Sequence, residues 1–185
     1  MTPDDDDAPR EAIHDEVPSD EVGAAVVARF PGTVFAESHG QAVVYVDRER
    51  WHDVAAFLHD EQRFTQCVDV TAADHLVDVD RRVPSGVSAE RFEIVANYLS
   101  HPRNRRIRAI CEVALDEAEV ASIVDVFPGV AFAEREVFDL FGITFAGHDD
   151  LTRILMPDDW VGHPLRKDDS PSRVPVTFKE DPGPR

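Results

Sequence analysis

The stretch RFEIVANYLSHPRNRRIRAICEV, Arg91–Val113, decides the fold. Apolar and polar residues alternate along two runs, and the turn SHPRN separates the runs. The apolar residues that share one face of these runs are Phe92, Ile94, Ala96, Tyr98, Ile107, Ala109, Cys111, Val113 and Leu115. Because successive side chains of a strand point to opposite faces, this period of two predicts an antiparallel hairpin with one buried face.

The sequence before this hairpin predicts two helices and a second hairpin. Ser19 is the predicted N-cap of the first helix, which Pro31-Gly32 ends. The segments Thr33–Glu37 and Ala42–Val46 predict two strands joined by a short turn. Asp47 then precedes a helix whose apolar residues recur at i, i+3, i+4 and i+7.

The remaining segments define the fold class. Phe64–Val70 predicts a strand, and Leu76–Val79 is expected to continue the sheet. The segment from Asp116 to Phe127 begins with a capping-box pattern and continues with helically spaced apolar residues, which predicts another helix. The stretch EREVFDLFG, Glu134–Gly142, predicts a last helix with glycine at its end. The expected class is α+β: an antiparallel or mixed sheet with helices packed on it, followed by an extended irregular C-terminal arm.

The chain divides into four segments. Residues 1–18 are a predicted disordered acidic tail, because residues 1–21 hold nine acids and a single arginine. The α+β domain is expected to span residues 19–142. Residues 143–170, called the C-terminal arm below, are expected to be extended and to dock, and residues 171–185 form a proline-rich tail.

Composition restricts the classes of partner. The net charge of −18 argues against nucleic acid, whose binders need a basic surface to displace counterions. No apolar run approaches the roughly 18 residues of a membrane span. The N-terminal sequence also lacks the basic and then apolar layout of a signal peptide. We therefore expect a cytoplasmic protein that neither binds nucleic acid nor spans a membrane.

No residue pattern predicts a catalytic, cofactor-binding or metal site in this chain. Cys67 and Cys111 are isolated in strand-like contexts and are interpreted as small buried hydrophobes. His148 and His163 each precede aspartates by a few residues, but the helical spacing that places several ligands on one face is absent. Neither a phosphate-binding glycine loop nor a nucleophile motif is present. A free metal-dependent enzyme that uses these His/Asp pairs is the alternative hypothesis.

The C-terminal arm combines irregular backbone with large apolar residues. It lacks a sustained period of 2 or 3.6. Its large apolar residues are Ile143, Phe145, Leu151, Ile154, Leu155, Met156, Trp160 and Leu165. Apolar anchors on irregular backbone need burial, either against the domain or against a partner. The cation pair Arg166-Lys167 suits a carboxylate surface or the C-terminal end of a helix.

Two further groups of charged residues have two interpretations each. Glu134 and Glu136 flank Arg135 on the last helix and predict a charged face with ion-pair partners, with acid–base chemistry as the alternative. The run Asn104-Arg105-Arg106 and Arg108 are expected on the outer face of their strand, with a partner surface as the alternative.

The segment EREVFDLFGITFAGHDDLTRILMPDDWVGHPLRKD, Glu134–Asp168, closely resembles the signature of the C subunit of bacterial NADH-quinone oxidoreductase, the prokaryotic respiratory complex I. The matching positions are Glu134, Arg135, Glu136, Asp139, Phe141-Gly142-Ile143, Gly147-His148, Leu151, Arg153-Ile154-Leu155 and Gly162–Asp168. Arg91–Val113 is similar to a hairpin of the same family. One departure is Asp149, where the family usually has proline, so that a fixed φ is lost there.

This resemblance implies a subunit of the hydrophilic arm of a proton-translocating NADH-quinone oxidoreductase, peripheral to the cytoplasmic side of the cell membrane. Such a subunit would lie beside the large quinone-site subunit and the small iron–sulfur subunit. It would support assembly and the quinone-reducing module without a redox centre of its own. The whole complex would carry FMN and iron–sulfur clusters and would use NADH and quinone.

The resemblance and the composition of the arm together imply a set of partner-docking residues. These are Glu134, Arg135, Glu136, Asp139, His148, Arg153, Trp160, His163, Arg166 and Lys167. The alternative is a homologous subunit of a membrane-bound hydrogenase or of a ferredoxin- or deazaflavin-linked quinone reductase. This chain does not encode the electron donor of the whole complex, so the sequence leaves both assemblies open.

Overall fold

A mixed five-stranded sheet carries three helices on one face in the computed structural model, which describes residues 20–169. The helices are α1 (Glu21–Arg29), α2 (Trp51–Asp60) and α3 (Ala131–Phe141). The strands are β1 (Val34–Ser38), β2 (Gln41–Tyr45), β3 (Gln66–Asp74), β4 (Phe92–Ser100), β5 (Arg105–Val113), β6 (Glu119–Ala121) and β7 (Thr144–Ala146). The α+β class is confirmed, and the predictions for residues 1–18 and 171–185 lie outside the described residues.

Strand order in the large sheet is β1-β2-β5-β4-β3. The hairpin predicted from Arg91–Val113 is formed by β4 and β5, which pair antiparallel from Phe92 opposite Val113 to Ser100 opposite Arg105. The second predicted hairpin is β1–β2, and β2 joins β5 in parallel, which makes the sheet mixed. In addition, β6 and β7 form a separate two-stranded parallel sheet.

The alternation in β4 explains which face of the sheet is covered. Phe92, Ile94, Ala96 and Tyr98 are buried beneath the helices, whereas the residues between them are half-buried on the other face. Full burial of one large apolar side chain stabilises the folded state by about 1.5–3 kcal/mol. Because several such side chains are buried on this face, it forms the main core. A smaller apolar cluster on the opposite face consists of Ala36, Val43 and Ile110.

The prediction that Leu76–Val79 continues the sheet is wrong. The third strand ends at Asp74, and the following residues form turns in which Val79 is 89% exposed. Arg81 instead fastens this connection across the sheet, because its guanidinium pairs with Glu93 of β4 and with Glu112 of β5. A short apolar run therefore does not distinguish a strand from an exposed turn here.

The helix predicted between Asp116 and Phe127 is also absent. Residues Glu119–Ala121 are strand β6, whose partner is β7, and turns follow up to Phe127. Val120 and Ile123 are buried, as the apolar pattern required, but on non-helical backbone. The backbone groups that would have been paired within a helix have other partners here. Those of β6 pair with β7, and the Ile123 N–H donates to the buried carboxylate of Glu134.

The helix starts differ slightly from the sequence expectation. Asp20, rather than Ser19, caps α1, since its carboxylate accepts hydrogen bonds from the Val22 and Gly23 N–H groups, each at 2.9 Å. Asp47 precedes a single 3₁₀ turn, Arg48–Arg50, that leads into α2, and its side chain makes no cap bond.

Candidate functional site

The C-terminal arm begins inside the fold and then runs along α3. Ile143 and Phe145 are buried in the main core, and β7 pairs with β6. From residue 147 to residue 169 the arm has only turns and bends. Its position is therefore fixed by side-chain hydrogen bonds to α3 rather than by regular secondary structure.

Asp139 of α3 is the central anchor of the arm. Its fully buried carboxylate accepts the backbone N–H groups of Ile154, Leu155 and Met156 at 2.8–3.0 Å and pairs with the Arg153 guanidinium at 2.6 Å. Burial alone would raise the pKa of this carboxyl, but the three N–H donors and the guanidinium lower it to about 2. The carboxylate thus replaces the backbone partners that an irregular segment lacks.

Two residues hold the arm at the N-terminal half of α3. The Arg135 guanidinium donates to the Thr152 carbonyl and hydroxyl oxygens at 3.0 and 2.8 Å and to the Arg153 carbonyl at 3.1 Å. His148 accepts the Asp150 N–H through Nδ1, and its Nε2 lies 3.1 Å from the Ala131 carbonyl oxygen. This arrangement fits the neutral tautomer with the proton on Nε2.

The arm also caps the C-terminal end of α3. His163 donates from Nδ1 to the Asp139 carbonyl, and Arg166 donates to the carbonyls of Phe141 and Gly142. Burial, with the Arg166 and Arg153 charges, lowers the pKa of His163. The last carbonyls of a helix lack partners within the helix, so a guanidinium here satisfies them and complements the helix dipole. The sequence interpretation that Arg166 suits a helix C-terminus agrees with this contact.

Gly142 allows this close approach. It adopts a left-handed conformation with φ of 70°, which ends α3. A Cβ atom at this position would collide with the ring of His163 and the guanidinium of Arg166. The glycine that the sequence predicts as a helix stop therefore also makes room for the arm.

A clamp that the sequence did not predict fastens the far end of the arm to the sheet. Asp74, at the end of β3, accepts the Lys167 N–H at 2.9 Å and pairs with Arg91 at 2.9 Å. Arg91 in turn pairs with Asp168. The partners are 17 and more residues apart in the sequence, and no local spacing would have identified them.

Glu134 lies in the interior and not on the charged helix face that the sequence predicted. Its carboxylate accepts the Ser122 hydroxyl at 2.6 Å and the Ile123 N–H at 2.8 Å. Burial raises the pKa of Glu134, against the effect of these two hydrogen bonds. Its contacts join α3 to the segment after β6.

The other docking candidates lie at or near the surface. Glu136 and Lys167 are exposed, and Trp160 is half-buried with an indole N–H that has no partner within residues 20–169. The structure also brings apolar residues of the arm to the outside. These are Ile154 at 37% exposure, Leu155 at 55%, Val161 at 77% and Leu165 at 47%.

Neither cysteine is activated as a nucleophile. Burial raises the pKa of the Cys67 and Cys111 thiols to about 12, which disfavours the nucleophilic thiolate. Within residues 20–169, no group of three or more His, Cys, Asp or Glu side chains is arranged to hold a metal ion. In the same part of the chain, no helix combines the length and apolar character of a membrane span.

The fold and the site define a class of protein: a small α+β domain whose signature residues hold an extended arm with outward apolar side chains. The family model described as respiratory-chain NADH dehydrogenase, 30 Kd subunit, matches residues 44–174. The chain belongs to this family, which confirms the resemblance found in the sequence.

Individual relatives give the same result. The chain is 40% identical over 142 residues to the C subunit of NADH-quinone oxidoreductase from Saccharopolyspora erythraea, a match that covers 76% of this chain and 53% of that protein. It is 39% identical over 142 residues to the Geobacter sulfurreducens protein of the same name, covering 75% of this chain and 82% of the relative. The match thus spans about half of the first relative's length.

Solved structures share the fold. A trypsin-resistant fragment of Nqo5 superposes with a TM-score of 0.61 at 29% identity, covering 70% of this chain and 96% of the fragment. A chain in the structure of a membrane-bound sulfane sulfur reductase, an archaeal respiratory membrane complex, gives a TM-score of 0.62 at 21% identity, covering 89% and 97%. At that identity the second likeness concerns the fold alone.

Proposed function

We propose that this chain is the C subunit of the hydrophilic arm of a proton-translocating NADH-quinone oxidoreductase. It acts as a non-catalytic part of that enzyme and supports assembly and the quinone-reducing module. In this proposal it lies on the cytoplasmic side of the cell membrane, peripheral to it. FMN, iron–sulfur clusters, NADH and quinone are bound by other subunits of the complex.

One observation carries the docking role: the C-terminal arm has two different sides. Polar signature residues, above all Asp139, fasten its backbone to α3. The same segment exposes the side chains of Leu155 and Val161 to water, although burial of apolar surface is favourable. An arm that is rigidly held and apolar outside is suited to a protein partner, because little ordering entropy is lost when it docks.

The proposed partners are the large quinone-site subunit and the small iron–sulfur subunit. The residues proposed to face them are the exposed Glu136 and Lys167, the half-buried Trp160 and the exposed apolar residues of the arm. Glu134 and Asp139 act indirectly, since their buried carboxylates shape the surface from inside. Five further residues also act indirectly, because they hold the arm against α3. These are Arg135, His148, Arg153, His163 and Arg166.

Native purification with mass spectrometry tests this proposal. The tagged full chain, expressed in its own cells at native level, should bring down the cluster-bearing subunits and the NADH-oxidising flavin subunits in equal amounts. Recovery of cluster-bearing subunits with hydrogenase or ferredoxin-linked subunits, and without the flavin module, would instead identify the alternative assembly. Recovery of the chain alone, with bound metal in a one-to-one ratio, would overturn both.

A further inference from the structure

A group of arginines at one end of the sheet is not used by the arm. It consists of Arg63, Arg103, Arg105 and Arg106, called the arginine tip below. The Ser100 hydroxyl donates to the Arg63 carbonyl at 2.7 Å and accepts the Arg103 N–H at 3.4 Å, which places both residues at the end of β4. Arg105 and Arg106 begin β5 directly after the turn.

The arginine tip has few acidic partners. Within residues 20–169, its one ion pair joins Arg105 to Asp20, at 3.6 Å. Asp69 lines the same hollow as Arg106 but makes no ion pair with it there. Arg63, Arg105 and Arg106 are exposed. Such a local excess of positive charge contrasts with the net charge of −18 of the chain.

The acidic N-terminal segment enters the fold at this point. Asp20 is the N-cap of α1, and it is both the first described residue and the partner of Arg105. The preceding residues 1–19 hold seven carboxylates against one arginine. The positive end of the α1 dipole faces the same region, which further favours negative charge there.

We propose that the arginine tip is the docking surface for this chain's own acidic segment, residues 1–19. Asp15 and Glu16 lie within roughly 18 Å of Asp20 along even a fully extended chain. Asp4–Asp7 precede Asp20 by 13 to 16 residues, so the length of the chain between them also allows these carboxylates to reach the arginine tip. Because the segment and the surface belong to one chain, their contact is intramolecular, so weak ion pairs suffice for occupancy.

This contact shields a cationic surface that would otherwise attract polyanions. Exposed arginines bind phosphate-rich polymers and acidic proteins without sequence preference, by counterion release. A tethered run of carboxylates competes for the same guanidinium groups. Because the contact is made of exposed charges, added salt weakens it, with a screening length that falls from about 10 Å at 0.1 M to about 3 Å at 1 M.

Amide chemical shifts of the full chain test the proposal. The comparison is between the native chain and a variant in which all seven carboxylates of residues 1–19 become amides. At about 50 mM salt the amides of Arg103, Arg105 and Arg106 should differ between the two chains, and the difference should vanish near 1 M salt. Arg82, an exposed arginine in the loop before β4, serves as the internal control and should not differ.

A second variant separates this contact from a general charge effect. Replacement R103Q/R106Q should at least halve the difference seen at Arg105. The proposal is overturned if the tip amides coincide in the two chains at low salt, or if Arg82 shifts as much as Arg106. It is also overturned if the tip amides coincide and move only when polyglutamate is added, because the surface then serves an acidic partner in trans.

Discussion

Two buried carboxyl groups on α3 have pKa values shifted in opposite directions. Asp139 has three N–H donors and a guanidinium, and its pKa falls to about 2. Glu134 has one hydroxyl and one N–H donor and no ion-pair partner within the described residues, and burial raises its pKa. The number and charge of the donors, rather than burial itself, decide the direction in which each pKa shifts.

Replacement D139N should destabilise the isolated full chain by about 3 kcal/mol, because it leaves the Arg153 guanidinium without its counter-charge and presents an amide N–H to N–H donors. Urea unfolding measures this change. The control is E136Q on the same helix, at an exposed position, which should change stability by less than about 0.5 kcal/mol. Equal effects of the two replacements would contradict the anchoring role of Asp139.

The pH dependence of stability should reveal Glu134. Its pKa in the folded chain is raised above the ordinary value of 4.5, so the folded state binds the proton more tightly. The resulting stabilisation is fully present below about pH 4.5 and is lost as the pH rises through the folded pKa. Relative to E134Q, the native chain should therefore lose stability as the pH rises above about 4.5 in a urea-unfolding series. A constant difference across that range would show that Glu134 titrates normally.

At the scale of elements, α3 and the C-terminal arm form one unit. The helix supplies one carboxylate and several carbonyl groups, and the arm supplies backbone N–H groups, two histidines and two arginines. Neither segment could satisfy these groups alone. The junction between them is Gly142.

Replacement G142A tests this junction, and G40A is its matched control. Both glycines have left-handed φ values, 70° and 72°, but a Cβ atom meets His163 and Arg166 at position 142 and open space at position 40. Each replacement should cost about 1 kcal/mol through backbone strain. G142A should cost at least about 1 kcal/mol more, because the arm must move. Equal unfolding free energies for the two variants would mean that the close approach of His163 to Gly142 does not affect stability.

Some elements were predictable from the sequence and others were not. The β4–β5 hairpin was, because nine-residue strands repeat the alternation often enough to exclude a helix. Strand β6 has three residues, too few for a period, and the helical spacing of the apolar residues around it was fortuitous. Leu76–Val79 was misassigned because a run of four residues carries no information about hydrogen-bond partners.

At the scale of the whole molecule, the sequence predicted an irregular arm with apolar anchors but not which side faced inward. Ile143 and Phe145 are buried, whereas Leu155 and Val161 are exposed. The backbone at Leu155 is fixed by Asp139, which belongs to another element. The Arg91 clamp to Asp74 and Asp168 depends likewise on contacts between distant parts of the chain.

The central claim is that the arm docks with its outward apolar side, and assembly of a double variant tests it most directly. L155D/V161D places charges where 55% and 77% of each side chain is exposed, so the unfolding midpoint of the isolated chain should not change. L115D, at a comparably exposed site between β5 and β6, is the control.

The measurement is the amount of chain that co-purifies with the cluster-bearing subunits, together with the NADH-quinone activity of the membranes. Burial of an unpaired carboxylate in an apolar contact should lower recovery of L155D/V161D at least about tenfold, while L115D assembles normally. Normal assembly and activity of L155D/V161D would contradict the account.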